Sequence, residues 1–452
     1  MSVSKQTGKQ PASAAGRDLV VGLGATGLSV ARYLKRHGGD ASFFDTRAEP
    51  PGVEALAKIW PDAEVALGAL ELPRGLGRII ASPGIVDSHP LLVAAREAGI
   101  EVISDIELFA RDAEAPFVAV TGTNGKSTAT TLIHHMCRAG GIDARAGGNL
   151  GEPALDLLDA PVPDWYVLEL SSFQLQRTAH LPAAVAVLLN IAPDHLDWHA
   201  DEQEYRRAKY RIFREARAAV FNRADAVAGE HVANIERKIG FGLDEPAAGQ
   251  YGVRRENHVL FLARGERLLL AAADLGMVGV HNRANALAAL AVAELIDIPL
   301  ADALQVLCEF PGLPHRMQFV RRLHDIEFVN DSKATNVAAA AASIASIDGM
   351  LVLVAGGDGK GGDFSALAAA LEGKLRAAVL IGKDAEAIAA SLDTVMPVSF
   401  ADDMRDAVRK AAAHATAGDT VLLAPACASL DQFDNYAARG DAFVAAVMEL
   451  GS

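Results

Sequence analysis

One pattern limits what this chain can fold into more than any other. A short apolar run rich in β-formers, a turn and a helical stretch recur from one end to the other. The runs are DLVVGLG (18–24), RIIASPG (78–84), FVAVTGT (117–123), YVLELSS (166–172), VAVLLN (185–190), EFVND (327–331), MLVLVAGG (350–357), AAVLIG (377–382) and TVLLAPA (420–426). They lack strict polar–apolar alternation, which suits strands buried on both faces, as in parallel sheets with helices on either side. Residues 28–36 show the helical partner: Leu28, Ala31 and Leu34 repeat at helical spacing, and Gly38–Gly39 ends the helix. The fold class is therefore α/β.

At roughly 150 residues per domain, 452 residues suggest about three domains. Two breaks divide them: the polar, Pro-ended RDAEAP (111–116), and FPGLPHR (310–316) with its two prolines and a glycine. Domains are expected at 1–107, 108–312 and 313–452. The opening MSVSKQTGKQPASAAGR has basic residues but no apolar core, so residues 1–17 read as a flexible tail rather than a secretory signal.

Composition removes several classes of function. Lys+Arg total 42 and Asp+Glu 57, a net charge of −15, which argues against a broad nucleic-acid or anionic-membrane surface. No apolar run reaches the roughly 20 residues of a membrane span, so no membrane insertion is expected. Cys137, Cys308 and Cys427 stand far apart without CxxC spacing. That argues against a disulfide framework and a cysteine zinc site, and fits a reducing cytoplasm.

Gly22-Leu-Gly24-Ala-Thr-Gly27 follows a strand and opens a helix, and Asp45 ends the next strand in SFFDTR. Glycines permit close backbone approach, a helix N-terminus attracts phosphate, and a downstream acid can hold ribose hydroxyls. NAD(P) is the default ligand of this motif alone; a ligand-free strand–helix turn is the alternative.

A second loop is more specific. Thr121-Gly122-Thr123-Asn124-Gly125-Lys126-Ser127-Thr128 follows the strand FVAV and precedes a helix with Leu132, Ile133 and Met136 on one face. Such a loop cradles phosphates on backbone N–H groups, its lysine neutralises the β/γ-phosphates, and the following hydroxyl can ligate Mg²⁺. The position five before Gly125 is Val120, so this is not the common GxxxxGK[ST] form. Glu169 closes YVLEL, at a strand end where α/β sites lie. His195 and His199 in DHLDWH would suit zinc only with a third ligand, and none is evident. Beside a phosphate loop, a hard-cation role for Glu169, shared with His195, fits better.

In the helix ADEQEYRRAKYRIF, Lys209 shares the apolar face of Tyr205, Ala208, Ile212 and Phe213. Such a lysine either snorkels to water or stays desolvated with a depressed pKa, available for chemistry or modification. In the last domain, NDSKATN (330–336), GGDGKGG (356–362) and PACASLDQF (425–433) each follow a strand. If those strands are parallel, the clusters gather at one sheet edge and offer hydroxyls and two lysines to a small anion. Each alone could be a helix cap.

Together these motifs resemble the Mur ligase family of peptidoglycan synthesis over nearly the whole chain after the tail. TGTNGKST resembles its ATP loop. ELSSFQL (169–175), DHLD (194–197), YRRAK (205–209), HNRAN (281–285), LPHRMQ (313–318), NDSKATN, GGDGK and PACASLDQF follow in the family's order, and the last three are similar to those of glutamate-adding members. The resemblance implies two Rossmann-like domains flanking a central P-loop-type ATPase domain. It implies an ATP-dependent amide ligase that activates the carboxylate of UDP-N-acetylmuramoyl-L-alanine as an acyl phosphate and couples it to glutamate, most simply D-Glu, with L-Glu as the alternative.

The residue roles follow from the same resemblance. Ala25, Thr26, Asp45, Thr46, Arg47, Ser82 and Gly84 match uracil- and phosphate-contacting positions, which moves the first glycine loop from NAD to UDP. Asn149, Ser171, Gln174 and His195 match the muramoyl-alanine site. Gly122 to Thr128 with Asn285, Arg316 and Asp331 match the ATP site. Lys333, Thr335, Lys360, Ser429, Leu430 and Tyr436 match the glutamate site, with Tyr436 where some relatives have Phe. Ser127, Glu169, His195 and Lys209 match the magnesium positions, Lys209 as a carbamate, and Lys126, Glu169, His195 and Lys209 are the expected catalytic set. The implied small molecules are UDP-N-acetylmuramoyl-L-alanine, glutamate, ATP and Mg²⁺, acting on a cytoplasmic monomer with no nucleic-acid partner. An NAD-dependent oxidoreductase and a catalytically silent family relative are the rival readings.

Overall fold

The protein is described by a computed structural model that covers residues 16–192, 194–195, 198–392 and 396–451. Residues 1–15 of the expected tail, and Leu196 and Asp197 of DHLD, lie outside the described residues. The chain divides into two compact units. One runs up to Gly252 and includes Leu287–Ala303; the other comprises Val253–Ala286 and Leu304 onward.

The first unit opens with β1 (Arg17–Val21), α1 (Ala25–Arg36), β2 (Ala41–Asp45), α2 (Val53–Ile59), β3 (Glu64–Leu67), β4 (Leu76–Ala81), α3 (Pro90–Glu97) and β5 (Glu101–Ile103). The strands pair in parallel in the order β3-β2-β1-β4-β5. Arg17, expected in the tail, belongs to β1, where its guanidinium pairs with Asp40 and Glu64. Both faces of this sheet are covered. Leu19, Val21, Phe44, Ile79 and Ala81 pack one way with Leu91 and Leu92 of α3; Val20, Phe43 and Ile80 pack the other way with Val30 and Leu34 of α1. Double burial is why the apolar runs do not alternate. Each fully buried side chain of this size contributes about 1.5–3 kcal/mol.

Helix α4 (Asp105–Asp112) follows, capped by Ser104. It crosses the expected 107/108 boundary, because the cap and the buried face Ile106, Phe109 and Ala110 hold it in one piece. Then come β6 (Phe117–Thr121), α5 (Lys126–Ala139), β7 (Ala144–Gly148), β8 (Trp165–Glu169), α6 (Ser172–Gln176), β9 (Val185–Leu188), α7 (Glu202–Tyr210), β10 (Ala218–Asn222) and β11 (Arg237–Phe241). These strands run parallel in the order β11-β10-β9-β6-β8-β7, so the ends of β7, β8, β6 and β9 stand side by side.

In the second unit, β13 (Val259–Arg264), which follows β12 (Tyr251–Glu256), pairs antiparallel with β14 (Arg267–Ala271). A further sheet is built from β15 (Gln318–Leu323), β16 (Ile326–Asn330), β17 (Leu351–Gly356), β18 (Leu375–Ile381), β19 (Val398–Phe400) and β20 (Thr420–Leu423), in the order β15-β16-β20-β17-β18-β19. Only β15 runs antiparallel to its neighbour. Along β17, Leu351, Leu353 and Ala355 enter one core, and Val352 and Val354 the opposite one. All nine apolar runs of the sequence form strands. Among the described residues, no helix is long and apolar enough to cross a membrane, and the three cysteines are free.

Candidate functional site

In the first sheet the chain reverses direction between β1 and β4, the switch point where open α/β sheets hold ligands. The glycine loop leaves β1 there, and Ser82 leaves β4; the Ser82 hydroxyl donates to the Gly22 carbonyl at 3.2 Å. A Cβ on Gly27 would meet the Gly22 carbonyl oxygen at 1.8 Å, so only glycine lets α1 start this close to the strand. Gly24 caps α1 without a side-chain hydrogen bond and the first turn carries no acid, which leaves N–H groups, with Ala25 and Thr26 beside them, for an anion.

Asp45 is more committed than the sequence indicated. Its oxygens accept from the Leu23 N–H at 2.7 Å and from the Arg47 guanidinium at 2.8 and 2.9 Å. The Arg47 bond, then the backbone donors, hold its carboxyl down to about 2. Asp45 thus shapes the loop as well as standing near it. Thr46 follows directly, and Gly84 is exposed on the loop after β4.

The second site lies at the adjoining ends of β6, β7, β8 and β9. Gly125 caps α5 at φ +82°, a left-handed conformation that favours glycine, without a side-chain hydrogen bond, and again the first turn carries no acid. Lys126 donates to the carbonyls of Gly122 (3.0 Å) and Thr123 (2.8 Å), folding its ammonium back over the loop. Glu169, buried at the end of β8, accepts from the Ser127 hydroxyl (2.7 Å) and from the Asn149 amide (2.8 Å). Three expected residues from three elements are thereby joined.

Lys209 is 2% exposed, so α7 does not let it snorkel. Its ammonium donates to the Gly122 carbonyl (2.7 Å) and the Thr121 hydroxyl (3.4 Å) and sits 4.9 Å from the Tyr205 ring centroid. Desolvation, and then the nearby Lys126, push its pKa well below the ordinary lysine value.

Ser171 and Gln174 form the capping box of α6. The Gln174 amide group donates to both oxygens of Asp105 at 3.2 and 3.3 Å. Asp105 is a residue the sequence reading missed. It sits in no recognisable motif, and its only sign is a first-turn acid that turns out to be buried; burial raises its carboxyl to about 6. Also missed was Asn190, whose side chain holds the Asn124 N–H (2.9 Å) and carbonyl (3.0 Å); Tyr205, expected only as part of an apolar face, also places its hydroxyl 2.7 Å from that of Thr123.

The two histidines part company. His199 is buried against Phe173, Trp198 and Tyr205, its Nε2 3.0 Å from the Ser172 hydroxyl, and burial lowers its pKa. It is a core residue. His195 is exposed, at φ +54°, with Nε2 3.6 Å from Asp194. Among the described residues, no three His, Cys, Asp or Glu side chains gather as a metal cluster.

In the second unit the polar clusters follow β16, β20 and β17, which are parallel neighbours, so they share one sheet edge. Asp331 is buried; the Met317 N–H (3.2 Å) and the Ser343 hydroxyl donate to it, and desolvation raises its pKa. The Asn285 amide donates to Asn282 at 3.1 Å, and Arg316 is exposed. Lys333 lies 4.0 Å from the Tyr436 ring centroid, and Thr335 is half-buried. Lys360, at φ +52°, and Leu430 are exposed, while Ser429 is buried.

Behind this edge lies Arg439, 1% exposed and absent from the sequence reading. It donates to the Ser332 hydroxyl and to the carbonyls of Ser332 and Cys427, each at 3.0 Å, and to the Gly356 carbonyl at 3.4 Å. One side chain thus ties the loops after β16, β17 and β20 together. Its helical spacing in YAARGDAF gives no warning of this.

Comparison with known proteins covers the same ground. Residues 16–104 match the Mur ligase MurD-like N-terminal domain, 120–293 the Mur ligase middle domain, and 315–427 the Mur ligase glutamate ligase domain. The UDP-N-acetylmuramoylalanine–D-glutamate ligase of Methylobacillus flagellatus is 46% identical over 438 residues, 96% of both chains. The enzyme of the same name from Legionella pneumophila is 45% identical over 442 residues, 96% of this chain and 99% of its own. Among solved structures, MurF ligase of Thermotoga maritima in complex with ADP aligns with a TM-score of 0.56 at 16% identity, over 97% of both chains. UDP-N-acetylmuramate–alanine ligase MurC of the same organism aligns at 0.55 and 17% identity, over 96% of this chain and all of its own.

Proposed function

The chain belongs to the Mur ligase family, and on that premise we propose how its residues carry out the ligation. It is an ATP-dependent ligase that joins D-glutamate to UDP-N-acetylmuramoyl-L-alanine in peptidoglycan precursor synthesis. One observation carries the reading. In a chain about 46% identical to such ligases from end to end, Lys126, Ser127, Glu169 and Lys209 converge on one phosphate-type loop. The N-terminal glycine loop lies within the segment similar to a MurD-like N-terminal domain, which supports reading its ligand as UDP rather than NAD.

A carboxylate is a poor electrophile, so the reaction needs ATP. A carboxylate oxygen of the alanine forms a bond to the γ-phosphorus as the bond to the β-phosphate oxygen breaks, giving an acyl phosphate and ADP. The glutamate amine then attacks the acyl carbon, phosphate leaves, and the amine loses a proton. In our reading Lys126 turns from its loop carbonyls to the transferring phosphoryl group and offsets its developing charge. The N–H groups at the start of α5, which no side chain caps, hold the other phosphates.

Ser127 and Glu169 are hard oxygen donors held together by their own hydrogen bond, and they fit Mg²⁺, which prefers one or two carboxylates plus phosphate oxygens. Mg²⁺, when bound, supplies charge neutralisation at the phosphates. Asn149 holds the second oxygen of Glu169, and His195 and carbamylated Lys209 complete the proposed magnesium set. Gly122 to Thr128, Asn285, Arg316 and Asp331 are proposed for ATP. Ala25, Thr26, Asp45, Thr46, Arg47, Ser82 and Gly84 are proposed for UDP, and Asn149, Ser171, Gln174 and His195 for muramoyl-alanine. Lys333, Thr335, Lys360, Ser429, Leu430 and Tyr436 are proposed for glutamate. The division into UDP-, ATP- and glutamate-binding domains near residues 107 and 312, a monomeric state and a cytoplasmic location belong to the same proposal.

Phosphate release with UDP-N-acetylmuramoyl-L-alanine, ATP, Mg²⁺ and either D-Glu or L-Glu tests this reading. Turnover should appear with D-Glu; its absence, or preference for L-Glu, would overturn the assignment.

A further inference from the structure

Arg177 follows the last turn of α6, and its side chain is 1% exposed. Its Nε donates to Asp87 at 2.7 Å, and its terminal nitrogens donate to the carbonyls of Ser82 (3.1 Å) and Ile85. Every one of these acceptors lies on the loop after β4. The guanidinium also lies over the Trp198 ring, its Cζ 5.4 Å from the centroid. Trp198 in turn packs its ring on Phe173 of α6 (centroids 4.4 Å apart), and its backbone N–H donates to the carbonyl of His195 at 3.1 Å. Asp87 is fixed a second time by Arg96, at 2.6 Å.

A buried guanidinium is a costly way to fasten two loops, since apolar packing of similar volume often stabilises as well. What the guanidinium adds is direction. Three donors in a rigid fork fix where the carbonyls of Ser82 and Ile85 stand, while its flat face registers on Trp198. The two loops so joined carry Ser82 and Gly84 on one side and His195 on the other.

We propose that Arg177 is a positioning residue that sets the distance between the uridine-side loop 82–87 and the muramoyl-alanine side formed by α6 and the His195 loop. The proposal rests on the ligase reading above. One UDP-sugar peptide must contact both loops at once, so a shift of about 1 Å between them misplaces its reacting carboxylate and costs up to about 100-fold in rate. UDP alone contacts one loop and does not sense the spacing. The signature is therefore a split: Arg177 matters more for the whole substrate than for UDP.

The test uses the full-length enzyme with Arg177→Met, Arg177→Lys and Asp87→Asn. The readouts are KM for each of the three substrates, kcat, inhibition by UDP alone, and melting temperature. With Arg177→Met, the KM for UDP-N-acetylmuramoyl-L-alanine should rise about tenfold or kcat fall as far, which corresponds to ~1.4 kcal/mol. The UDP inhibition constant and the KM for ATP should change much less. Arg177→Lys should fall between wild type and Arg177→Met, because a single ammonium cannot hold the fork. Asp87→Asn, on a partly exposed loop, should show the same split more weakly even if Arg177→Met folds poorly. Unchanged substrate KM and kcat in both Arg177→Met and Asp87→Asn would overturn the proposal. So would a UDP inhibition constant that moves as far as KM, or a loss confined to melting temperature. Failure of the wild-type control to ligate would instead refute the function.

Discussion

Lys126 and Lys209 donate to one acceptor: their Nζ atoms lie 3.0 and 2.7 Å from the carbonyl oxygen of Gly122. Two ammonium groups on one carbonyl repel each other. Lys209 is the buried one, and desolvation, then the nearby Lys126, pushes its pKa well below the usual range. A neutral amine is the form that attacks CO₂, forming the N–C bond and releasing one proton from the nitrogen to solvent. The resulting carbamate is an anion, so the like-charged pair becomes an opposite-charged one beside the phosphate loop.

The first prediction follows. In isotopically labelled bicarbonate, the folded enzyme should give a carbamate carbon resonance that is missing from Lys209→Met and from the unfolded wild type. Lys209→Met should lose most of its ligase activity, and short carboxylic acids should restore part of it. An active, bicarbonate-supplied enzyme without that resonance would remove the idea.

Lys126 lies in a different loop from the residues proposed for UDP. Lys126→Met should lower turnover by at least about 100-fold, in line with removal of a group that stabilises transition-state charge. Affinity for the UDP-substrate, followed by calorimetry, should stay near the wild-type value. If more than about a tenth of turnover survived, a barrier change of under ~1.4 kcal/mol, the lysine would have no such role.

Asp105 makes a prediction in pH. Its carboxyl rises from 3.8 to about 6, mainly through burial. Between those values the folded state binds a proton that the unfolded state does not, so stability falls as pH rises through the window. The loss is about 1.4 kcal/mol per unit while the window lasts and is complete above pH ~6. Asn lacks that proton and can still accept from Gln174. The stability of Asp105→Asn relative to wild type should therefore climb from pH ~4 to ~6 and then level off. Denaturant midpoints at a series of pH values would show it; a flat difference would mean that Asp105 stays ionised in the fold.

How far the sequence reveals this arrangement depends on how local each signal is. The strands buried on both faces read directly from runs such as MLVLVAGG, because two covered faces leave no polar alternation. The loop at Gly125 reads directly too, since a glycine between strand and helix is a local requirement. Strands such as β3, with exposed Glu64 and Leu67, carry no such run and escape notice. Lys209 was half legible: its place on an apolar face shows in the spacing, but burial against Gly122, 87 residues away, does not. Asp105, Arg177 and Arg439 were not legible at all. Each is a charged residue in or beside an ordinary helix whose partners come from distant parts of the chain.

The last prediction concerns Arg439. It is a buried cation with three backbone carbonyls and one hydroxyl as partners. Burial lowers its pKa to about 10, so it stays charged at neutral pH. In Arg439→Met the carbonyls of Ser332 and Cys427 lose a donor, and each buried orphan costs about 1–3 kcal/mol. The melting temperature should fall clearly. The loops released are those bearing Lys333, Lys360 and Ser429, so Arg439→Lys, with its charge kept and its fork lost, should raise KM for D-glutamate while KM for the UDP-substrate holds. That pairing separates loop placement from general damage, because a merely destabilised enzyme would lose active molecules without a change in KM for one substrate alone. Equal shifts for all three substrates would show that Arg439 only supports the fold.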